Sequence, residues 1–183
     1  MANFRIHTID SAPEGSKPGL QGLQKNFGFI PNAAATMAGS PVLINSFIAT
    51  FGNFHGGSLN EAEKQTLLLT NAVALRCGWT TAFHSTLALK NGVAASDVAA
   101  IRGGQLPADR KLAAISALAR VLIERKGHRA DEELAQFSAA GYADTQVLEL
   151  VAGIAISTMA ALTATMANTP VEDLFKAQTW TPA

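Results

Sequence analysis

From residue 150 to 168 the chain reads LVAGIAISTMAALTATMAN, a run without a single charged side chain. Its length is close to the roughly 20 residues that cross a bilayer as a helix. Gly153, Ser157 and the threonines of the run keep it only mildly hydrophobic, so it predicts a buried core or subunit-interface helix rather than a membrane span. The rest of the chain has to cover such a helix. With 183 residues there is enough chain for one self-standing core, without disulfides or a structural metal. Charged residues make up only 15% of it, against about 25% in an average soluble protein. So little charge leaves surface to be covered by other subunits, and a homo-oligomer is the expectation.

Helices separated by clear punctuation account for most of the sequence. In GSPVLINSFIATF, Ser40 reads as an N-cap and Pro41 as a first-turn proline, with Leu43, Phe47 and Phe51 at helical spacing. In LNEAEKQTLLLTNAVAL, Asn60 caps, Glu61 and Glu63 favour the positive end of the helix, and deep burial is expected beyond Gln65. TTAFHSTLALKNGV closes on Asn91 and Gly92, a pair that tolerates a left-handed cap, and ASDVAAIRGG is a short helix stopped by Gly103 and Gly104. ADRKLAAISALARVLIERKG carries Leu112, Ile115, Leu118 and Leu122 on one stripe. ADEELAQFSAAG and the segment 144–167 complete the set, and Thr169, Pro170 and Glu172 read as a further capping box. No period-two pattern argues for a strand. An all-α, single-domain chain follows, spanning 1–183 with its motif region at about 40–125.

Charge and composition narrow the function classes. The formal net charge is zero and basic residues are dispersed, so no nucleic-acid footprint is present. MANFRIHTIDSAPEG lacks the apolar segment and cleavage site of a secretory signal, and a cytoplasmic protein without membrane attachment is the expectation. The four histidines show no metal-site spacing, and His55 reads as a solvent-exposed loop residue. No metal, nucleotide or other cofactor is predicted.

The chemistry concentrates in ALRCGWTTAFHSTLALKNGV, which holds the chain's one cysteine. On a continuous helix, Cys77, Thr80 and His84 share a face. A break at Gly78 would instead leave Cys77 and Thr80 at the start of the next helix, where backbone N–H groups and the dipole favour a thiolate. His84 would then lie about one turn inside, placed to handle protons. Against this, a lone cysteine in an alanine-rich helical chain reads equally as a small buried hydrophobe, Thr80 as a cap and Trp79 as core.

Three blocks in order, NFGFIPNAAATMAGSPVLINSF, LNEAEKQTLLLTNAVALRCGWTTAFHSTLALKNGV and ANTPVEDLF, resemble the alkylhydroperoxidase D and carboxymuconolactone decarboxylase superfamily, in particular its peroxidase-related branch. The resemblance covers most of the chain and implies an all-helical bundle assembled as a trimer or hexamer. Its peroxidase motif is a glutamate, eleven residues, then Cys-x-x-Cys-x-x-x-His. Cys77 falls on the first cysteine and His84 on the histidine; Thr80 stands where the peroxide-attacking cysteine is expected, and Gln65 where the proton-relaying glutamate is. An amide exchanges hydrogen bonds but takes up no proton at neutral pH. Glu63 lies two residues earlier, on the wrong side of the helix to replace it.

Three functions stay open at this point. A thiol peroxidase-like enzyme would use Cys77 against a hydroperoxide, with His84, Thr80 and Gln65 around it and an external thiol as reductant. A lyase resembling the decarboxylase branch would use His84 as acid or base, with Arg76 the nearest cation for a substrate carboxylate. A non-catalytic oligomeric binder would keep the pocket without turnover.

Overall fold

The computed structural model describes residues 4–128 and 130–182. Among them nine α-helices and two short 3-10 turns carry the chain, and no strand is present. The order is α1 (Lys17–Phe27), α2 (Asn32–Met37), α3 (Pro41–His55), α4 (Glu61–Ala74), α5 (Gly78–Lys90), α6 (Ala95–Arg102), α7 (Arg110–Glu124), α8 (Asp131–Ala139) and α9 (Asp144–Met166). α4 runs through the middle, packed against α5, α6, α7 and α9.

Local chemistry explains where the helices start. The Ser40 hydroxyl accepts from Leu43 N–H at 3.4 Å, and Pro41 opens α3 as expected. Asn60 and Glu63 form a reciprocal capping box, each side chain accepting from the other's backbone N–H at 2.9 Å. Asp109 caps α7 through Leu112 N–H at 2.9 Å. These pairings satisfy N–H groups that the first helical turn leaves without partners.

Burial on α4 begins earlier than the sequence indicated, at Glu63 rather than beyond Gln65, and includes Lys64. Both charged groups are partnered. Glu63 accepts from the Tyr142 hydroxyl at 2.7 Å, and Lys64 Nζ donates to the His55 carbonyl at 2.7 Å and to Glu61 at 3.1 Å.

The uncharged run forms α9, the one described helix long and apolar enough to cross a bilayer by length and composition. It packs along α2, α3, α4 and α5 as a core helix. Gly153 lets it approach closely: a Cβ there would sit 2.6 Å from Leu67 Cδ2 and 2.9 Å from Phe54 Cε2.

The capping box read at Thr169 does not form. Among the described residues no α-helix follows Pro170, the Thr169 hydroxyl is buried without a partner, and Glu172 instead accepts from Asn32 N–H at 2.6 Å and from Trp79 Nε1 at 2.8 Å. A tertiary contact has claimed the carboxylate that the local pattern assigned to a helix start. The tail beyond it is held by Arg102, which donates to the carbonyls of Gln178 at 3.0 Å and Thr179 at 2.9 Å.

Candidate active site

The chain breaks between α4 and α5. Arg76 takes a left-handed conformation, φ +54°, and Cys77 is the N-cap residue of α5, with Gly78 first in the helix. Gly78 is required there because a Cβ would lie 2.9 Å from the Trp180 carbonyl oxygen. Of the two geometries open to the sequence, the structure adopts the broken one. Cys77 therefore sits at the positive end of a 13-residue helix, yet only 1% of it is exposed. Thr80, equally buried, donates its hydroxyl to the Cys77 carbonyl at 3.3 Å.

His84 lies two turns along α5 and lines an apolar cavity of about 50 Å³ between α1, α2, α3, α4, α5 and α9. Phe27, Met37, Phe47, Phe51, Trp79 and Phe83 are its larger side chains. The indole N–H of Trp79 is taken by Glu172, which leaves His84 and Ser157 as the polar groups able to meet a molecule inside. Cys77 packs in the hydrophobic cluster that forms this wall, together with Leu23, Ala34, Met37, Trp79 and Ala160.

Gln65 holds the imidazole: its Oε1 is 3.0 Å from Nδ1 of His84. Two acceptors do not bond, so Nδ1 carries the proton and Nε2 keeps its lone pair. Burial among apolar side chains, assisted by the nearby charge of His55, pushes the His84 pKa down to about 3. At neutral pH this imidazole is uncharged, an acceptor that does not itself bring a proton.

The structure thus brings His84 and Gln65 into direct contact and keeps Cys77 and Thr80 together at the other end of the same helix. Glu63 is occupied by Tyr142 and the capping box, away from His84. Arg76 is exposed and borders a different cleft, with Arg120 and Glu124. His55 is not the exposed loop residue the sequence suggested. It ends α3, packs against Phe51 with ring centroids 4.1 Å apart and the rings tilted by 38°, and lies 3.6 Å from Glu61, its side chain 22% exposed. Its Nε2 is buried without a partner, and burial, partly offset by Glu61, lowers its pKa. Ser157 and the N-terminal helices α1 and α2 were missed altogether. Nothing in their local sequence ties them to residues 77–84; only the fold does.

Residues 47–122 match the model of the carboxymuconolactone decarboxylase family. No curated protein matches the chain. Among solved structures it is similar to a peroxidase-related protein with an alkylhydroperoxidase AhpD core from Ralstonia eutropha JMP134, at TM-score 0.83 and 14% identity over 99% of this chain and 97% of that one. It is also similar to a Cys-to-Ala variant of the debrominase Bmp8 in complex with 2,3,4-tribromopyrrole, at TM-score 0.79 and 20% identity over 97% and 96%. A peroxidase-related protein from Silicibacter sp. TM1040 superposes at TM-score 0.76 and 14% identity over 96% and 95%. The match over residues 47–122, which hold Cys77 and His84, is thus to the carboxymuconolactone decarboxylase family, and the helical architecture of the whole chain is the fold of the alkylhydroperoxidase D-like structures.

Proposed function

We propose that the chain is a thiol-dependent, peroxidase-like oxidoreductase that reduces a small, largely apolar molecule such as an organic hydroperoxide in the His84 cavity. The observation that carries this reading is the position of Cys77, the N-cap of the helix that bears His84 and a member of the cluster walling the cavity. The Cys77 sulfur attacks one peroxide oxygen, the S–O bond forms as the O–O bond breaks, and the departing alkoxide takes up, through solvent, the proton that the thiol gave up and leaves as an alcohol. Cys77 is then a sulfenic acid. An external thiol condenses with it, releasing water, and a second thiol reduces the mixed disulfide. His84 orients the peroxide by accepting its O–H, with Gln65 fixing the imidazole and Thr80 the backbone at Cys77.

Two measurements test this. Stoichiometric tert-butyl hydroperoxide should be consumed by the reduced protein with a dimedone-reactive sulfenic acid appearing on Cys77, and Cys77→Ser should abolish both. The thiol of the native protein should also react rapidly with iodoacetamide at neutral pH. No peroxide consumption together with slow alkylation sinks the proposal. It would leave the second reading, a binder without turnover, which the 1% exposure of Cys77 favours. The lyase reading loses its anchor, since Arg76 borders another cleft and no lysine or arginine lines the cavity among the described residues.

The partner surface we propose is a second copy of the chain on α9. Leu148, Val151, Ala155 and Leu162 lie exposed at spacings of three, four and seven along that helix. The pattern is self-complementary: an antiparallel two-fold pairing centred on Ala155 sets Leu148 of each copy against Leu162 of the other, with alanine at the crossing. Leu148 and Leu162 are 71% and 62% exposed.

A further inference from the structure

The hydrogen-bonding capacity left over in the cavity wall is all of one kind. Ser157 on α9 donates its hydroxyl proton to the Gly153 carbonyl at 2.8 Å and accepts from Asn71 Nδ2 at 3.1 Å. A hydroxyl has one proton and two lone pairs, so one lone pair of Ser157 remains. Asn71 is wholly buried on α4, and its Oδ1 has no hydrogen-bond partner. Buried carbonyl oxygens are rarely left so, because nothing repays the loss of water. On the α5 side of the same cavity, Nδ1 of His84 is spent on Gln65 and Nε2 keeps its lone pair. His84 on α5 and Ser157 on α9 both line the cavity and each keeps an accepting lone pair, while Asn71 on α4 stands behind Ser157. The one other N–H in the wall, on Trp79, is bound to Glu172.

Such a wall discriminates by chemistry rather than by shape alone. An anion inside would lose its hydration and meet lone pairs with no cation or free donor, a doubly unfavourable exchange. A neutral molecule without a donor would bury its body against Phe47, Phe51 and Phe83 yet leave the acceptors unsatisfied. A neutral molecule with an O–H or N–H satisfies them while the rings cover the rest.

We propose that Ser157, positioned by Asn71, acts with His84 as a specificity-determining acceptor pair that selects small neutral molecules carrying an O–H or N–H donor on an apolar body, such as phenols, azoles and un-ionised hydroperoxides. This rests on the reading of the His84 cavity as the substrate site and narrows its substrate class. It also excludes carboxylate substrates from that cavity.

The test uses the full chain and three probes sharing one ring: phenol, with a donor; anisole, in which a methyl group replaces that proton; and benzoate, an anion. Binding is followed at pH 7 by titration calorimetry and by the ¹⁵N resonance of His84 Nε2. Phenol should bind and shift that resonance, anisole should bind about tenfold more weakly, and benzoate should not bind measurably. Ser157→Ala should reduce the phenol affinity several-fold and leave anisole unchanged. Asn71→Asp, which removes the N–H that holds Ser157, should narrow the phenol-to-anisole ratio. Equal binding of phenol and anisole, tighter binding of benzoate, an equal loss for both neutral probes in Ser157→Ala, or no binding of phenol up to its solubility would each overturn the proposal. Because no step requires turnover, a protein that selects phenol but consumes no peroxide would retain this inference while the redox reading fails.

Discussion

α4 and α9 invert the usual relation between polarity and burial. α4 buries Glu63, Lys64, Gln65, Thr66, Thr70 and Asn71, while the far more apolar α9 leaves Leu148, Val151, Leu162 and Met166 exposed. The difference lies in position. α4 is surrounded by four helices, so each of its faces meets protein, whatever side chain it carries. Five of its buried polar residues bond to other elements: Glu63 to Tyr142, Lys64 to the end of α3, Gln65 to His84, Thr70 to Ser116 and Asn71 to Ser157. α9 meets its neighbouring helices along one face only and leaves the other, with Leu148, Val151 and Leu162, outside the bundle. Polar groups at the centre fix which helices meet and in what register, and apolar groups at the edge are available to a partner.

Glu63→Ala strikes the comparison hardest. It removes the acceptor for the Tyr142 hydroxyl and half of the capping box, leaving a buried O–H unsatisfied. The expected loss is about 3 kcal/mol, from a charge-assisted bond and a cap together. It should appear as a lower urea midpoint with an unchanged m-value. Tyr142→Phe, which leaves the cap intact, should lose less. A loss below 1 kcal/mol for Glu63→Ala would mean that the buried carboxylate is not what organises this end of α4.

Acid supplies the next largest effect. The folded pKa of His84 is about 3 and its unfolded value 6.5, so the unfolded chain binds the proton first as pH falls. Stability is fully present above pH 6.5 and declines between 6.5 and 3, by at most about 1.4 kcal/mol per pH unit from this group. His55, also lowered, adds to the same slope. Urea midpoints taken from pH 6.5 to 5 avoid most carboxylate titration, and His84→Gln should flatten the slope there. An equal slope in wild type and variant would show that the imidazole is solvated rather than enclosed.

Much of the fold can be read from the sequence because its signals are local. Ser40 with Pro41, and Asn60 with its following glutamates, mark helix starts in a few residues, and Asn91–Gly92 marks an end. α1 and α2 escape because Lys-Pro-Gly opens one and the other is a six-residue, alanine-rich helix without a cap. Glu172 was misread for the opposite reason: a complete local motif was overridden by partners 93 and 140 residues away. The site divides the same way. Gln65 and His84 are placed by motif spacing, whereas the cavity between them and α9 needs Phe27, Met37 and Ser157, which only tertiary packing brings near.

Gly153 joins the two helices compared, and Gly153→Val asks how closely they need to approach. A side chain there drives into Leu67 and Phe54, an overpacking that costs about 2 kcal/mol. The same residue's carbonyl accepts from Ser157, so a displaced α9 would also disturb the cavity's acceptor. Reduced stability and reduced phenol affinity should therefore appear together. A variant as stable as wild type would show that α9 slides freely over α4, and the rigid register argued above would fail.

Leu162→Glu should have the smallest effect on the subunit and a decisive one on its assembly. The side chain is 62% exposed, so a carboxylate there stays hydrated and the folding free energy of one chain should change by less than about 0.5 kcal/mol. In an antiparallel α9 pair the same substitution places a charge against Leu148 of the other copy, twice because of the two-fold axis. Light scattering should then report a smaller particle than wild type at equal concentration. Leu148→Glu should reproduce it, since the pairing makes the two positions opposite sides of one contact. Equal masses in wild type and both variants would leave α9 as an apolar face with no copy of the chain upon it. A loss for only one of them would mean that the copies meet without the two-fold centred on Ala155.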